Sequence, residues 1–339
     1  MRKVAVIGLG LIGLERLRAI KLLIDCGREI EITGIYDPFY KDIEKLAKEY
    51  NTKAYSDLNE LIKTDPIWFF VAIPHDVAVD IVIELLKKDF NVLIEKPLGR
   101  SVQEAKKIIK AIRRPEQLYV GFNYRYYDCI SLAMKDVQDG KFGPLISVDV
   151  VMGHGGSADL LNSWKLDPKR AGGGCILDPG IHLLDLCKII ANNNIKPISG
   201  LSWEGFWQTG IEEEAHILFE CNGFIINLQV SIVKWRSTFI LAIRGQEGYG
   251  IVSGRGRYYG RQSYIRGKRW GWLSGVSQRD SEELVLGTAA DDSFTKELNA
   301  LFFSEFHNYL KPCTAEEALE TMELWEDCLK VVKPIGHKK

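Results

Sequence analysis

What this chain of 339 residues lacks narrows its nature first. No apolar run approaches the roughly 20 residues that cross a bilayer as a helix, so a helical membrane protein is not expected. Neither sign of charge is in excess. Forty-four basic residues stand against forty-five acidic ones, a net charge of -1 that exerts no global pull on nucleic acid or on an acidic membrane surface. The seven cysteines, Cys26, Cys129, Cys175, Cys187, Cys221, Cys313 and Cys328, include no C-x-x-C pair and no regular spacing. That argues against a disulfide framework or a zinc site and fits a reducing cytoplasm. Cys175 reads as a small buried thiol rather than a nucleophile. Internal repeats and low-complexity linkers are also missing. The start, MRKVAVIGLG, has the charge and apolar stretch of a signal peptide but runs into glycines instead of a small-residue cleavage site, so it reads as a first strand.

What is present is a chain with 46% hydrophobic residues, long enough for about two domains. Residues 1–121 alternate strand-like and helix-like stretches, the pattern of a doubly wound α/β sheet. Apolar runs at Val4–Ile7, Ile30–Tyr36, Ile67–Ile73, Val92–Ile94 and Leu118–Phe122 predict buried strands. Between them, Ala78, Ile81, Val82 and Leu85 have helical spacing, and Asp76 and Ser101 are candidate helix caps. From residue 122 to 339 the pattern changes to an α+β domain with an open, mainly antiparallel sheet. Strands are predicted at Leu145–Met152, Ile217–Glu220, Phe224–Val230 and Thr238–Ile243, with a turn at Cys221-Asn222-Gly223. Helices are predicted over Pro179–Ala191, Phe294–Tyr309 and Ala315–Val332.

The first segment that carries chemistry is Gly8-Leu9-Gly10-Leu11-Ile12-Gly13, a G-x-G-x-x-G that follows a strand and opens a helix with apolar positions Leu17, Ile20 and Ile24. In that setting Gly8 makes the tight turn, Gly10 lets backbone approach a pyrophosphate, and Gly13 lets helix and strand pack closely. The helix amino terminus offers free N–H groups to the anion. The next strand ends in Asp37, 24 residues after Gly13, where an acid takes both ribose hydroxyls and repels a 2′-phosphate, favouring NAD over NADP. Asp37 as the cap of a helix beginning near Phe39 is the alternative. In NVLIEKPLG, Glu95-Lys96-Pro97 closes a buried run, and the proline holds Lys96 extended with its ammonium group at the carboxyl end of the sheet.

A second constellation, GGGCILDPGIHLLDL, puts Pro179 at the first position of a helix, making Asp178 its cap and setting His182 on the same face. Asp185 follows His182 by about one turn, but no further ligand spacing appears and no metal is expected. The stretch Gly254 to Trp272 interleaves Arg255, Arg257, Arg261, Arg266, Lys268 and Arg269 with Tyr258, Tyr259, Tyr264 and Trp270. A solvated hairpin or subunit contact, a grip on a phosphate-bearing substrate, and stacking on nucleic acid are its open readings.

Taken in order, the glycine motif, Glu95-Lys96-Pro97, Gly121-Phe122-Asn123-Tyr124-Arg125-Tyr126 and the Gly172-to-Leu186 segment resemble the Gfo/Idh/MocA oxidoreductases, a resemblance that runs through the whole chain. It implies a Rossmann domain and a second domain whose open sheet often forms a homo-dimer or homo-tetramer contact. It also implies hydride transfer between a nicotinamide cofactor and a hydroxyl or keto carbon of a sugar, sugar derivative or cyclitol. On the cofactor side stand Gly8, Gly10, Leu11, Ile12, Gly13, Asp37, Pro74, Glu95 and Lys96. Lys96, Asp178 and His182 are the implied catalytic residues, and Asn123 and Arg125 join Asp178 and His182 on the substrate side. The chain departs from the family pattern at Tyr127-Asp128, where many members carry an acid followed by proline, and in the Gly/Arg stretch.

Oxidising a carbinol puts negative charge on its oxygen as hydride leaves, and Lys96 is suited to stabilise it. His182, with an ordinary pKa near ~6.5, suits proton acceptance near neutrality, and Asp178 would orient the imidazole or bind a neighbouring hydroxyl. Which of the two is the base stays open. A glycosidase of the same family that uses NAD transiently would use the same residues, whereas the joint presence of Lys96, Asp178 and His182 speaks against a regulator that binds NAD without chemistry.

Overall fold

The computed structural model describes residues 1–270, 281–286 as backbone, 291–304 and 310–335. Residues 305–309 of the helix expected over Phe294–Tyr309, and Gly271 and Trp272 of the Gly/Arg stretch, lie outside the described residues. In chain order the first elements are β1 (Arg2–Ile7), α1 (Leu11–Asp25), β2 (Ile30–Tyr36), α2 (Ile43–Glu49), β3 (Ala54–Tyr55), α3 (Leu58–Ile62), β4 (Trp68–Val71), α4 (His75–Lys87), β5 (Asn91–Glu95), α5 (Val102–Lys110) and β6 (Leu118–Gly121). Next come α6 (Asp128–Gln138), β7 (Leu145–Gly153), α7 (Pro168–Ala171), α8 (Ile181–Ile190), β8 (Ile195–Trp203), β9 (Glu214–Cys221), β10 (Phe224–Ser231) and β11 (Thr238–Gly245). The remainder are β12 (Gly248–Ser253), β13 (Gln262–Lys268), β14 (Ser281–Leu286), α9 (Ser293–Phe303), β15 (Cys313–Thr314), α10 (Ala315–Val331) and β16 (Val332–Ile335). Among the described residues, no helix is long and apolar enough to cross a membrane.

The first unit is a seven-stranded sheet in the order β15-β6-β5-β4-β1-β2-β3, parallel except for β15. Its central strands are near-continuous apolar runs, and Val4, Ala5, Val6 and Ile7 are buried, as a sheet covered on both faces requires. Chain order reverses between β1 and β4, which puts the ends of β1, β4 and β5 at the topological switch point where such sheets bind ligands. Ser101 caps α5, its hydroxyl accepting from the Glu104 amide, as its sequence position predicts. Asp76 does not cap α4. Pro74, fixed at φ -54 and ψ 146, precedes the first helical residue, so Asp76 falls inside the first turn. The helix expected near Phe39 begins only at Ile43.

Residues 1–122 do not complete this unit alone. From Phe294, α9 belongs with it, as does α10 up to Met322. Phe294, Leu298 and Phe302 join Val4, Val6, Leu17, Ile20, Phe70 and Leu93 in one core, and the Phe302 ring meets Trp68 at 5.6 Å and Phe70 at 5.9 Å. Apolar spacing along α9 predicts that it is a helix, but only three-dimensional packing reveals which sheet it covers.

The second unit is a nine-stranded sheet ordered β14-β13-β12-β11-β7-β10-β9-β8-β16. Its pairings are antiparallel except β7 with β10 and β8 with β16. The hairpin β9–β10 turns at Cys221-Asn222-Gly223, with Gly223 at φ +86. Alternation along the strands buries Val148, Val150, Leu228 and Leu241 on one face. The other face is open and mixed, with Arg244 Nη1 on Asp149 Oδ2 at 2.5 Å, Asn227 beside them, and the apolar Ile225 and Leu201 exposed. Nearly all of α8 is buried, and it begins at Ile181 with Gly180 before it. The sequence expectation that Pro179 opens this helix and Asp178 caps it is therefore corrected: Asp178 and Pro179 lie in the turn ahead of it.

Replacing Phe302 by alanine is expected to cost about 3–5 kcal/mol, the range for a buried aromatic. Denaturant unfolding checks it, and a loss below about 1 kcal/mol would contradict a core position for α9.

Candidate active site

The three glycines of the first turn have three different physical reasons. Gly8 sits at φ +90, and a Cβ there would fall 2.3 Å from the Ala72 carbonyl oxygen. A Cβ on Gly13 would lie 1.9 Å from the oxygen of Gly8, so α1 packs onto the turn only because that atom is missing. At Gly10 nothing lies within 4 Å of the equivalent position. Gly10 precedes the first helical residue, no side chain caps its amides, and the first turn of α1 holds no acid. Leu11 is exposed. The geometry suits a diphosphate, which backbone N–H groups and the helix dipole would hold.

Asp37 accepts the Leu9 amide at 2.7 Å through one oxygen and the Phe39 amide at 2.8 Å through the other. It caps a local turn rather than a helix, and it ties the end of β2 to the glycine turn. A carboxylate oxygen has lone pairs to spare after one such bond, so ribose hydroxyls fit the same group. Pro74 stands at the start of α4, after β4.

Glu95 has a partner that the sequence does not announce. Arg16 of α1, 1% exposed, places Nε 2.6 Å from Glu95 Oε1 and Nη1 2.5 Å from Glu297 Oε2 of α9. Its guanidinium also lies 4.8 Å from the Phe294 ring centroid. Room for the pair comes from Gly121, where a Cβ would lie 2.5 Å from Arg16 Nη2 and 3.0 Å from Glu95 Oε2. Burial acts against the arginine's charge, but the two carboxylates outweigh it and hold its pKa above the ordinary value. Glu95 therefore anchors the end of β5, and the half-buried Lys96 follows it directly. The chain turns after Lys96 through a cis bond to Pro97, and after Asp178 through a cis bond to Pro179.

In the second unit, Asp178 Oδ2 accepts from Lys165 Nζ at 2.8 Å, and this carboxylate raises the lysine's pKa. The pair lines a small pocket with His154, Leu160, Leu166, Gly174, Ile211 and Ile232. His182, buried in the first turn of α8, stacks on Tyr124 at 3.8 Å between centroids and 5° between planes. Arg255 lies over the same tyrosine at 4.7 Å and over Tyr259 at 3.8 Å, and donates to the Tyr127 hydroxyl at 2.7 Å. Tyr127 donates in turn to Asp291. The two departures from the family pattern, Tyr127 and the Gly/Arg stretch, thus meet at one hydrogen bond.

Arg125 makes a bidentate pair with Asp185, at 2.7 and 2.6 Å, both buried, so it braces the helix that carries His182. Asn123 donates to Ser293 at 2.8 Å and is buried too. The sequence places both on the substrate side, and in the structure their planar polar groups close these buried hydrogen bonds. The described part of the Gly/Arg stretch forms a tight turn and β13, in which Arg257 pairs with Asp291 at 3.6 Å and Arg266 with Asp136 at 3.0 Å, while the exposed Arg269 lies over Trp270. Sequence reasoning missed Lys165, Tyr124, Arg255 and Tyr259 as neighbours of Asp178 and His182. Cys175 is fully buried, and burial pushes its thiol well above the ordinary range, as expected for a packing residue.

A family model described as an oxidoreductase family with an NAD-binding Rossmann fold matches residues 2–122, and a GFO/IDH/MocA C-terminal domain model matches residues 131–250. The chain is 28% identical over 190 residues to glucose-6-phosphate 3-dehydrogenase of Bacillus subtilis (strain 168), covering 55% of this chain and 53% of that protein. It is 28% identical over 123 residues to levoglucosan dehydrogenase of Pseudarthrobacter phenanthrenivorans, covering 35% and 32%. The chain thus spans about half or less of the length of these relatives. Among solved structures, a levoglucosan dehydrogenase with NADH and levoglucosan superposes with a TM-score of 0.82 at 16% identity, covering 97% and 96% of the two chains. A 3-ketoreductase from Actinomadura kijaniata with NADP and TDP-benzene gives 0.79 at 16% identity, covering 99% of each. At such identities these likenesses establish the fold.

An Arg16→Met variant leaves Glu95 and Glu297 without their cation and is expected to lose about 3–5 kcal/mol at neutral pH. Without the arginine, the folded state favours protonated carboxyls and binds more protons than the unfolded chain, so stability falls as pH rises and the deficit shrinks towards acid. Urea unfolding at several pH values checks both magnitude and sign.

Proposed function

The chain belongs to the GFO/IDH/MocA oxidoreductase family, and from that premise we propose that it is an NAD-dependent dehydrogenase or reductase. Its substrate would be a hydroxyl or keto carbon of a sugar, sugar derivative or cyclitol. The observation that carries this reading is the glycine turn, where Gly10 has open space around it at an uncapped helix start. When bound, the nicotinamide supplies a site that accepts or gives back a hydride. Asp37, an acid at the end of β2 bonded to the amides of Leu9 and Phe39 and, among the described residues, to no cation, favours a ribose with two free hydroxyls, hence NAD. Glucose-6-phosphate 3-dehydrogenase and levoglucosan dehydrogenase, named among the relatives, support a sugar as substrate.

In this reading Lys96 stabilises negative charge on the reacting oxygen. His182 takes its proton, and Asp178, with Lys165, orients or binds hydroxyls beside it. Stacking on Tyr124 holds the imidazole plane fixed, so proton transfer needs no search over ring orientation. Because Arg255, Arg257 and Arg266 are already engaged by tyrosines and carboxylates, a phosphate on the substrate would fall to the exposed Arg261 and Arg269. The seven free cysteines support a reducing cytoplasm, and the open face of the second sheet supports a homo-oligomer.

An assay that follows reduced-nicotinamide absorbance across free sugars, polyols and sugar phosphates is expected to detect net turnover, faster with NAD than with NADP. Lys96→Ala should lower kcat by about 100-fold or more. A variant oxidising its substrate at the parental rate removes Lys96 from the mechanism, and tight NAD binding with no turnover across the panel overturns the enzyme reading.

A further inference from the structure

The pocket that holds Asp178 and Lys165 continues into an aromatic surface that the chemistry above does not use. Phe206 and Trp207 lie on the loop between β8 and β9, and Trp235 lies on the loop between β10 and β11. The Phe206 ring meets Trp207 at 4.8 Å and 90°, and Trp235 at 4.9 Å and 73°. Phe206 is 49% exposed and Trp235 69%. Gly155 and Gly156, after β7, seat these rings on the pocket rim. A Cβ on Gly155 would lie 2.9 Å from Trp235, and one on Gly156 would lie 2.6 Å from Leu160 and 3.2 Å from Trp207. Leu160 lines the same pocket as Asp178, as does His154, whose ring nitrogen accepts from the Gly156 amide at 3.0 Å.

The loop that presents the rings is built rather than loose. Glu213, with no exposed surface, accepts from the amides of Phe206 at 2.9 Å, Trp207 at 2.8 Å and Gln208 at 3.2 Å. Burying a carboxylate is costly unless several donors surround it, and here the donors are the backbone of the aromatic loop. An exposed aromatic cluster, two of its rings on a loop held by Glu213 and set beside a pocket of lysine, aspartate and histidine through Leu160 and Gly156, has the polarity profile of a sugar chain. One pyranose ring would place hydroxyls among the polar groups, and the next would lay its C–H face on the rings.

We infer that Phe206, Trp207 and Trp235 form a stacking subsite for a second pyranose ring, so that the ring meeting Asp178 is one end of a disaccharide or glycoside. This rests on the reading of Asp178 as a substrate residue. It specifies the substrate class as a linked sugar, not a free monosaccharide.

The test is calorimetric binding of maltose, cellobiose and lactose against glucose and galactose, with and without NAD, in the parent, Trp235→Ala and Trp235→Tyr. At least one disaccharide should bind the parent about tenfold more tightly than its component monosaccharide. Trp235→Ala should abolish that ratio, and Trp235→Tyr should retain most of it. A disaccharide that binds no better than its monosaccharide, or a ratio that survives in Trp235→Ala, overturns the subsite. A Trp235-dependent ratio without NADH formation upholds the subsite and fells the redox reading. NADH formed from monosaccharides with no disaccharide advantage does the reverse, and no sugar binding at all overturns both.

Discussion

One buried guanidinium organises the first unit. Arg16 lies in water-excluded surroundings between Glu95 and Glu297, so three elements distant in sequence converge on a single cation: the helix of the glycine turn, the strand that ends at Glu95, and α9. A charge removed from water is tolerated only where partners surround it, which makes this contact intolerant of drift. The glycine turn and Lys96 are both a few residues from it. Their spacing is therefore set by an ion pair and not by loop preference.

The second unit uses a different device. His182 is held by stacking rather than by a helix cap, with Tyr124 against its face and Arg255 over the same ring. Arg125 and Asp185 fix the helix beneath it. Rigid aromatic and guanidinium planes lose little freedom when they order, so they suit a site where orientation matters.

Much of this was legible in the residues. The strands from Val4 to Phe122 announce themselves as apolar runs, and the glycine motif predicts which positions need a missing Cβ, because steric demands in a tight turn are local. Asp178 was misread as a cap because Asp before Pro is a strong local signal, whereas the actual helix start depends on how Gly174 and Gly180 pack against neighbouring carbonyls. Arg16 left a faint trace: helical spacing from Gly13 puts it on the buried face of α1, where a solvated arginine would not belong. Arg255 left none, since a tyrosine-rich basic stretch looks the same whether its charges meet solvent or tyrosine rings.

The circuitous path of the chain has an evolutionary corollary. Dinucleotide folds are often regarded as portable cassettes, yet here Phe294, Leu298 and Phe302 return from the far end of the chain to fill the core under β1 and β4. An excised fragment ending at Phe122 would expose that apolar seam and leave Arg16 short of Glu297. Shuffling this half between relatives therefore demands that the late helix travel with it, and recombination that separates the two should yield aggregates instead of hybrids.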